Sequence, residues 1–219
     1  MPRCGNGPVV KWLLKSLLLG ALLPAQAFSQ GQIAFNNTFT DPLTNTPGTL
    51  PVTISTAVGT FNPANGPPGA YVGSNYTASL FWLAGTVTNQ TVFDSLNPMW
   101  AIEASFFGTT GTGIPPGPSV DGSGFFDGGV VRLPQVGFVT LQVRAWYKGG
   151  GIYASYDAAR AAGHNVGLSN LLPLAITAPP GPPRNLDGLQ PFTVGIPEPS
   201  TFALAVLGGA ALLIFRRWK

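Results

Sequence analysis

The run GFVTLQVRAWYK alternates. Val139, Leu141, Val143, Ala145 and Tyr147 fall on one side, and Thr140, Gln142, Arg144, Trp146 and Lys148 on the other. A period of two residues is that of a strand, and the polar side predicts that the strand is half-buried. Less regular runs, QIAFNNTF, PVTISTAV, YTASLFWLAG, TVTNQTVF and WAIEASFF, are rich in β-branched and aromatic residues and predict further strands. NTPG, NPANGPPG, GTGIPPGP, DGSG and DGG punctuate them with turn-forming compositions. About six to nine short strands separated by turns predict an all-β fold, a single antiparallel β-sandwich of jelly-roll or Ig-like type. SYDAARAAGHNVG departs from the strand pattern and predicts one short helix, with Ser155 as N-cap and Gly163 at its left-handed end. TAPPGPPRNLDG, stiffened by its prolines, predicts a linker or edge loop.

Hydrophobicity is continuous only near the two ends. The stretch MPRCGNGPVVKWLLKSLLLGALLPAQAFSQ has positive charges, an apolar run from Ser16 to Leu23, then Pro24 and small residues. This is the three-part layout of a secretory signal peptide, with Ala25 and Ala27 fitting the small-x-small cleavage rule. Cleavage after Ser29 competes with cleavage after Ala27. An uncleaved anchor is the alternative, but it would place Lys15 in hydrocarbon. At the other end Phe202 to Phe215 is uncharged over fourteen residues. As a helix it is about 21 Å long, against a hydrocarbon core of ~30 Å. Thr201 extends it, and Arg216, Arg217 and Lys219 can snorkel to headgroups with Trp218 at the interface. The basic cluster predicts a cytoplasmic end and a stop-transfer role, which leaves the middle of the chain outside the inner membrane. A buried core helix is the competing reading, but such a helix rarely ends on uncompensated charge.

Composition sharpens this picture. Of 219 residues only 9% are charged, while Gly (29) and Pro (22) approach a quarter of the chain. The hydrophobic fraction of 45% still provides a core. The net charge of +3 comes from the ends, because between them five basic residues face seven acids. That excludes a nucleic-acid footprint. The one cysteine, Cys4, precedes the apolar run, so the exported chain would have no disulfide, thiolate metal ligand or lipidation site.

Before the C-terminal apolar run, Pro197 and Pro199 flank Glu198 and are followed by Ser200 and Thr201. Two prolines keep this stretch extended and poor in backbone donors, a form that a processing enzyme can grip. Pro197-Glu198-Pro199-Ser200, the apolar helix with Leu-Gly-Gly and the terminal arginines together resemble the PEP-CTERM sorting signal of Gram-negative bacteria. The resemblance covers residues 196–219, with Trp218 where a further basic residue is usual. It implies recognition of Pro197, Glu198 and Pro199 by an exosortase, and a destination at the cell surface or in an exopolysaccharide matrix. The middle is similar to small secreted proteins of Verrucomicrobia-like bacteria with the same tail, in which segments like GQIAFNN, FFDGG, VTLQVRAW and the Tyr156 to Gly163 helix recur in order. The expected organisation is a signal peptide at 1–27, an exported domain at 28–178, a Pro/Gly-rich linker and last strand at 179–195, and the sorting signal at 196–219. Within that signal the motif is 197–199, the transmembrane helix 201–215 and the basic tail 216–219.

Candidate chemistry is sparse. No Walker loop, dinucleotide fingerprint, H-E-x-x-H or G-x-S-x-G occurs. His164, the only histidine, follows the helix stop and is expected to be a solvated loop residue. Glu103 and Asp94 could be forced into a glycosidase pair, and Asp121 and Asp127 into a calcium site, but Asp-Gly is also ordinary turn composition. Among Trp82, Trp100, Trp146, Tyr147, Tyr71 and Tyr153, Trp146 is the best candidate for stacking on a carbohydrate, because it alternates onto the polar side of its strand. No catalytic residue, metal or cofactor is expected. The chain reads as a non-catalytic surface or matrix protein whose partners are the export machinery, signal peptidase, an exosortase and the lipid bilayer. A carbohydrate-binding module for extracellular polysaccharide is the alternative, and a glycoside hydrolase a more distant one.

Overall fold

A computed structural model describes residues 30–40, 47–57, 61–111, 113 and 121–196. The predicted signal peptide, Ala25 and Ala27, the sorting residues Pro197, Glu198, Pro199 and Ser200, the predicted transmembrane helix and Arg216, Arg217 and Lys219 lie outside the described residues. Among the described residues no helix is long and apolar enough to cross a membrane.

Among the described residues the fold is all-β with two short α-helices. The alternating run forms β8 (Gly137–Tyr147), the spine of the main sheet. Along one edge it pairs antiparallel with β5 (Tyr76–Ala84), from Tyr76 opposite Tyr147 to Ala84 opposite Val139. Its other edge is shared by β10 (Leu172–Ile176) and β9 (Val166–Leu168), and β6 (Met99–Ser105) adds outside β5. Three smaller pairings complete the fold. β1 (Gly31–Asn36) runs antiparallel to β7 (Asp127–Leu133), β2 (Thr38–Thr40) to β3 (Pro47–Thr49), and β4 (Thr53–Ile54) parallel to β11 (Thr193–Val194).

The apolar set of β8 behaves as its periodicity predicts. Val139, Leu141, Val143 and Ala145 are buried beside Tyr76, Ala78, Leu80 and Trp82 of β5. Ile33 and Phe35 of β1, Val131 and Leu133 of β7, and Ile54 and Val194 of the parallel pair join the same cluster. Phe126 knits it together, with its ring centroid 4.8 Å from Phe35 and 5.4 Å from Phe106. Gly167 lets β11 approach β9, since a Cβ there would sit 2.4 Å from the Thr193 carbonyl oxygen.

Two expectations change. The polar side of β8 is largely covered: Thr140 is fully buried against the loop at Gly85 and Val87, and Gln142 against the helix that follows that loop. TVTNQTVF forms no strand. Asn89 Oδ1 accepts from Val92 N at 3.1 Å, which caps helix α1 (Gln90–Ser95), and Phe93 is buried beneath it. A cap and one buried aromatic outweigh the β-propensity of its threonines and valines. The proline-rich stretch, expected as a linker or edge loop, runs along β1. Arg184 N donates to Gln32 O at 3.0 Å and Ala34 N to Arg184 O at 2.9 Å, while Leu186 and Leu189 enter the core. The other helix forms as predicted: α2 (Tyr156–Ala161) is capped by Ser155 Oγ accepting from Ala158 N, and Gly163 follows at φ 73°.

Candidate functional site: a cleft on the outer face of the main sheet

The outer face of the sheet carries Thr77, Ser79 and Phe81 of β5 opposite Trp146, Arg144 and Gln142 of β8. Covering it needs polar groups on the cover as well, because a buried donor or acceptor without a partner is costly. Thr140 Oγ1 donates to Gly85 O at 2.8 Å and accepts from Val87 N at 2.7 Å, which holds down the loop before α1. Gln142 Nε2 donates to Gln90 Oε1 of α1 at 2.6 Å, and its own Oε1 accepts from Arg144 Nε at 3.1 Å. Trp146 donates its indole N–H to Tyr153 O at 3.1 Å, and the ring lies under α2.

α1 and α2 do not meet completely. Between them a cleft of about 400 Å³ opens over Phe81 and Arg144. Arg144 forms its floor, with a side chain only 11% exposed, a 2.6 Å ion pair to Asp94 of α1 and its guanidinium carbon 4.5 Å from the Phe81 ring centroid. The Tyr156 ring lies 5.6 Å from the same carbon. Tyr156 is 7% exposed, and burial pushes its phenol pKa up, opposed by the nearby Arg160 and Arg144. Its hydroxyl has no hydrogen-bond partner among the described residues. Asn97, Asp157 and Arg160 line the rim.

Beside the cleft stands Trp100, which is 60% exposed. The β5–β6 register breaks between Leu80 and Phe81, so that Leu80 faces Ile102 but Phe81 faces Trp100. The extra residue turns Trp100 onto the outer face, as bulges do. Its indole N–H donates to Ser79 Oγ at 3.3 Å, tethering the ring there.

Trp146, the candidate for stacking on a carbohydrate, lies on the outer face of its strand opposite Thr77. It is 3% exposed, because α2 and Tyr153 cover that end of the strand, and so it offers no ring face to a saccharide. The exposed indole belongs to Trp100, which strand alternation alone could not single out, because the bulge reverses its side. His164 is also not a solvated loop residue. It is half-buried, with Nε2 2.7 Å from the Tyr153 hydroxyl, Nδ1 3.2 Å from the Asn65 side chain and its ring centroid 4.4 Å from that of Tyr153. Glu103 and Asp94 hold different partners, Glu103 accepting from Thr77 Oγ1 at 2.8 Å and only Asp94 lining the cleft. Asp127 Oδ1 accepts from Gly129 N at 2.8 Å, and Asp121 Oδ2 from Thr109 N at 2.7 Å. Among the described residues no three His, Cys, Asp or Glu side chains gather as a metal site.

No curated protein and no solved structure matches the chain. A family model does match, and it covers the stretch that begins at Gly195, where the described fold ends, and runs through Pro197, Glu198 and Pro199 into the apolar and basic segments: the chain carries a PEP-CTERM protein-sorting motif at residues 195–217.

Proposed function

We propose that this is a non-catalytic exported protein of the cell surface or extracellular matrix, sorted by an exosortase through its C-terminal signal. The match at residues 195–217 carries the reading. In this scheme residues 1–27 engage the export machinery and signal peptidase. Residues 201–215 enter the bilayer, with Arg216, Arg217 and Lys219 on the cytoplasmic side. Pro197, Glu198 and Pro199 are then presented outside the membrane to the enzyme. The exported domain reads as a β-sandwich in which the inner face of the main sheet packs on the β1–β7 and β4–β11 pairs, a rigid body suited to display.

The test compares cells with and without the exosortase, and a Glu198→Ala variant in the former. The expected outcome is a shorter product at the surface in wild-type cells only, and a longer membrane-bound form in the other two. Identical size and location in all three overturns the proposal and leaves an ordinary single-pass anchor. A second reading, that the delivered domain binds extracellular polysaccharide, is favoured by one observation: the exposed Trp100 ring beside a polar cleft.

A further inference from the structure

The cleft between α1 and α2 contains two guanidinium groups, Arg144 and Arg160, and two carboxylates, Asp94 and Asp157. Its charges balance. A polyanion entering it would meet Asp94 and Asp157, and a polycation would meet Arg160, so net charge selects neither. What suits such a lining is a ligand whose groups both donate and accept, as hydroxyls do. Planar guanidinium, carboxylate and carboxamide groups, the last from Asn97, can each engage two neighbouring hydroxyls at once. Arg144 is already committed to Asp94 and to Gln142, so it acts as a fixed floor. Asn97, Asp157 and Arg160 have no side-chain hydrogen bond or ion pair among the described residues and remain available. The Tyr156 hydroxyl makes the stronger point. It has no hydrogen-bond partner among the described residues, and the residue that carries it is 7% exposed and lines the cleft, so a ligand hydroxyl there would supply one.

The second element is Trp100. Its N–H is held by Ser79 Oγ and more than half of its surface is open, so it presents a ring face ordered in advance beside the polar cleft. An apolar face next to a cleft that wants hydroxyls matches a molecule with C–H groups on one side and hydroxyls around its rim, which describes a pyranose. We propose that the cleft and Trp100 together form a binding site for a neutral sugar unit of a polysaccharide. This rests on the second reading above, and adds to it the site and the charge class of the ligand.

The test titrates the full-length chain, in a detergent without a sugar headgroup, with neutral glucan, mannan and galactan oligosaccharides, with a polyuronate and with a cationic polyglucosamine. Binding of a neutral oligosaccharide is expected, with Trp100→Ala weakening it about tenfold or more. Tyr156→Phe, which removes only the hydroxyl, is expected to weaken it about fivefold. Phe138→Ala, which alters another exposed aromatic, should leave it unchanged. Should Trp100→Ala fail to fold, Arg160→Ala replaces it, with weakening again expected. Neutral binding that both cleft variants leave intact overturns the site while the polysaccharide reading stands. Binding of the polyuronate or the polyglucosamine alone overturns the charge class. No binding to any probe overturns both the site and the reading on which it rests.

Discussion

Asn37 is 2% exposed and uses its whole carboxamide. Nδ2 donates to Leu50 O at 2.9 Å and Gly124 O at 2.8 Å, and Oδ1 accepts from Phe126 N at 2.9 Å. One side chain therefore ties residue 37 to residue 50 and to residues 124–126, where the β1–β7 and β2–β3 pairings meet. Asn165 does the same at the other end of the fold, accepting from Asn62 N at 2.6 Å and donating to the Tyr76 hydroxyl at 3.0 Å. Asn37→Ala should leave buried backbone groups unpaired and cost about 3 kcal/mol, at ~1–3 kcal/mol per orphaned group. A lowered denaturant midpoint with unchanged slope checks this, and a midpoint equal to wild type would refute it. Composition hides such residues, because asparagine in a Gly- and Pro-rich chain looks like turn material until its neighbours in space are known.

Among the elements, β8 shows how far periodicity reaches. Its alternation is correct residue by residue, and its inner side is the core. What alternation cannot tell is whether a polar side meets water or a polar cover; Thr140, Gln142 and Trp146 meet a cover. The sequence is legible where the signal is local, as at the Ser155 cap and Gly163 of α2. It misleads where a local signal competes with a distant one, as in α1, whose stability depends on Phe93 reaching a sheet built from other segments. Asn89→Ala should remove the α1 cap and cost about 1 kcal/mol. Faster amide hydrogen exchange confined to residues 90–96, with β8 unaffected, is the expected result. The cleft was the least legible part, since Arg144, Asp94, Tyr156 and Trp100 are brought together by two helix dockings and a bulge.

For the molecule as a whole, Tyr76 links folding to pH. It is fully buried, and burial raises its phenol well above the ordinary value of about 10. Below that pH both folded and unfolded chains keep the proton, and stability is flat on this account. As pH rises past about 10 the unfolded chain releases the proton and the folded one retains it, so the unfolded state gains and stability falls toward the raised folded-state pKa. Tyr156 shifts in the same direction and adds to the loss. Chemical denaturation between about pH 9 and 11, one unit either side of the free phenol, should show this decline, reduced in Tyr76→Phe.

The sorting motif adjoins the fold without slack. Gly195 exchanges two 2.9 Å backbone hydrogen bonds with Val166, and β11 immediately before it runs parallel to β4. From Gly195 to Pro197 the chain can extend at most about 7 Å. Under the sorting reading proposed above, an enzyme that recognises Pro197, Glu198 and Pro199 works within about 7 Å of Gly195, so bulky substitutions beside Val166 should slow processing even with those three residues intact.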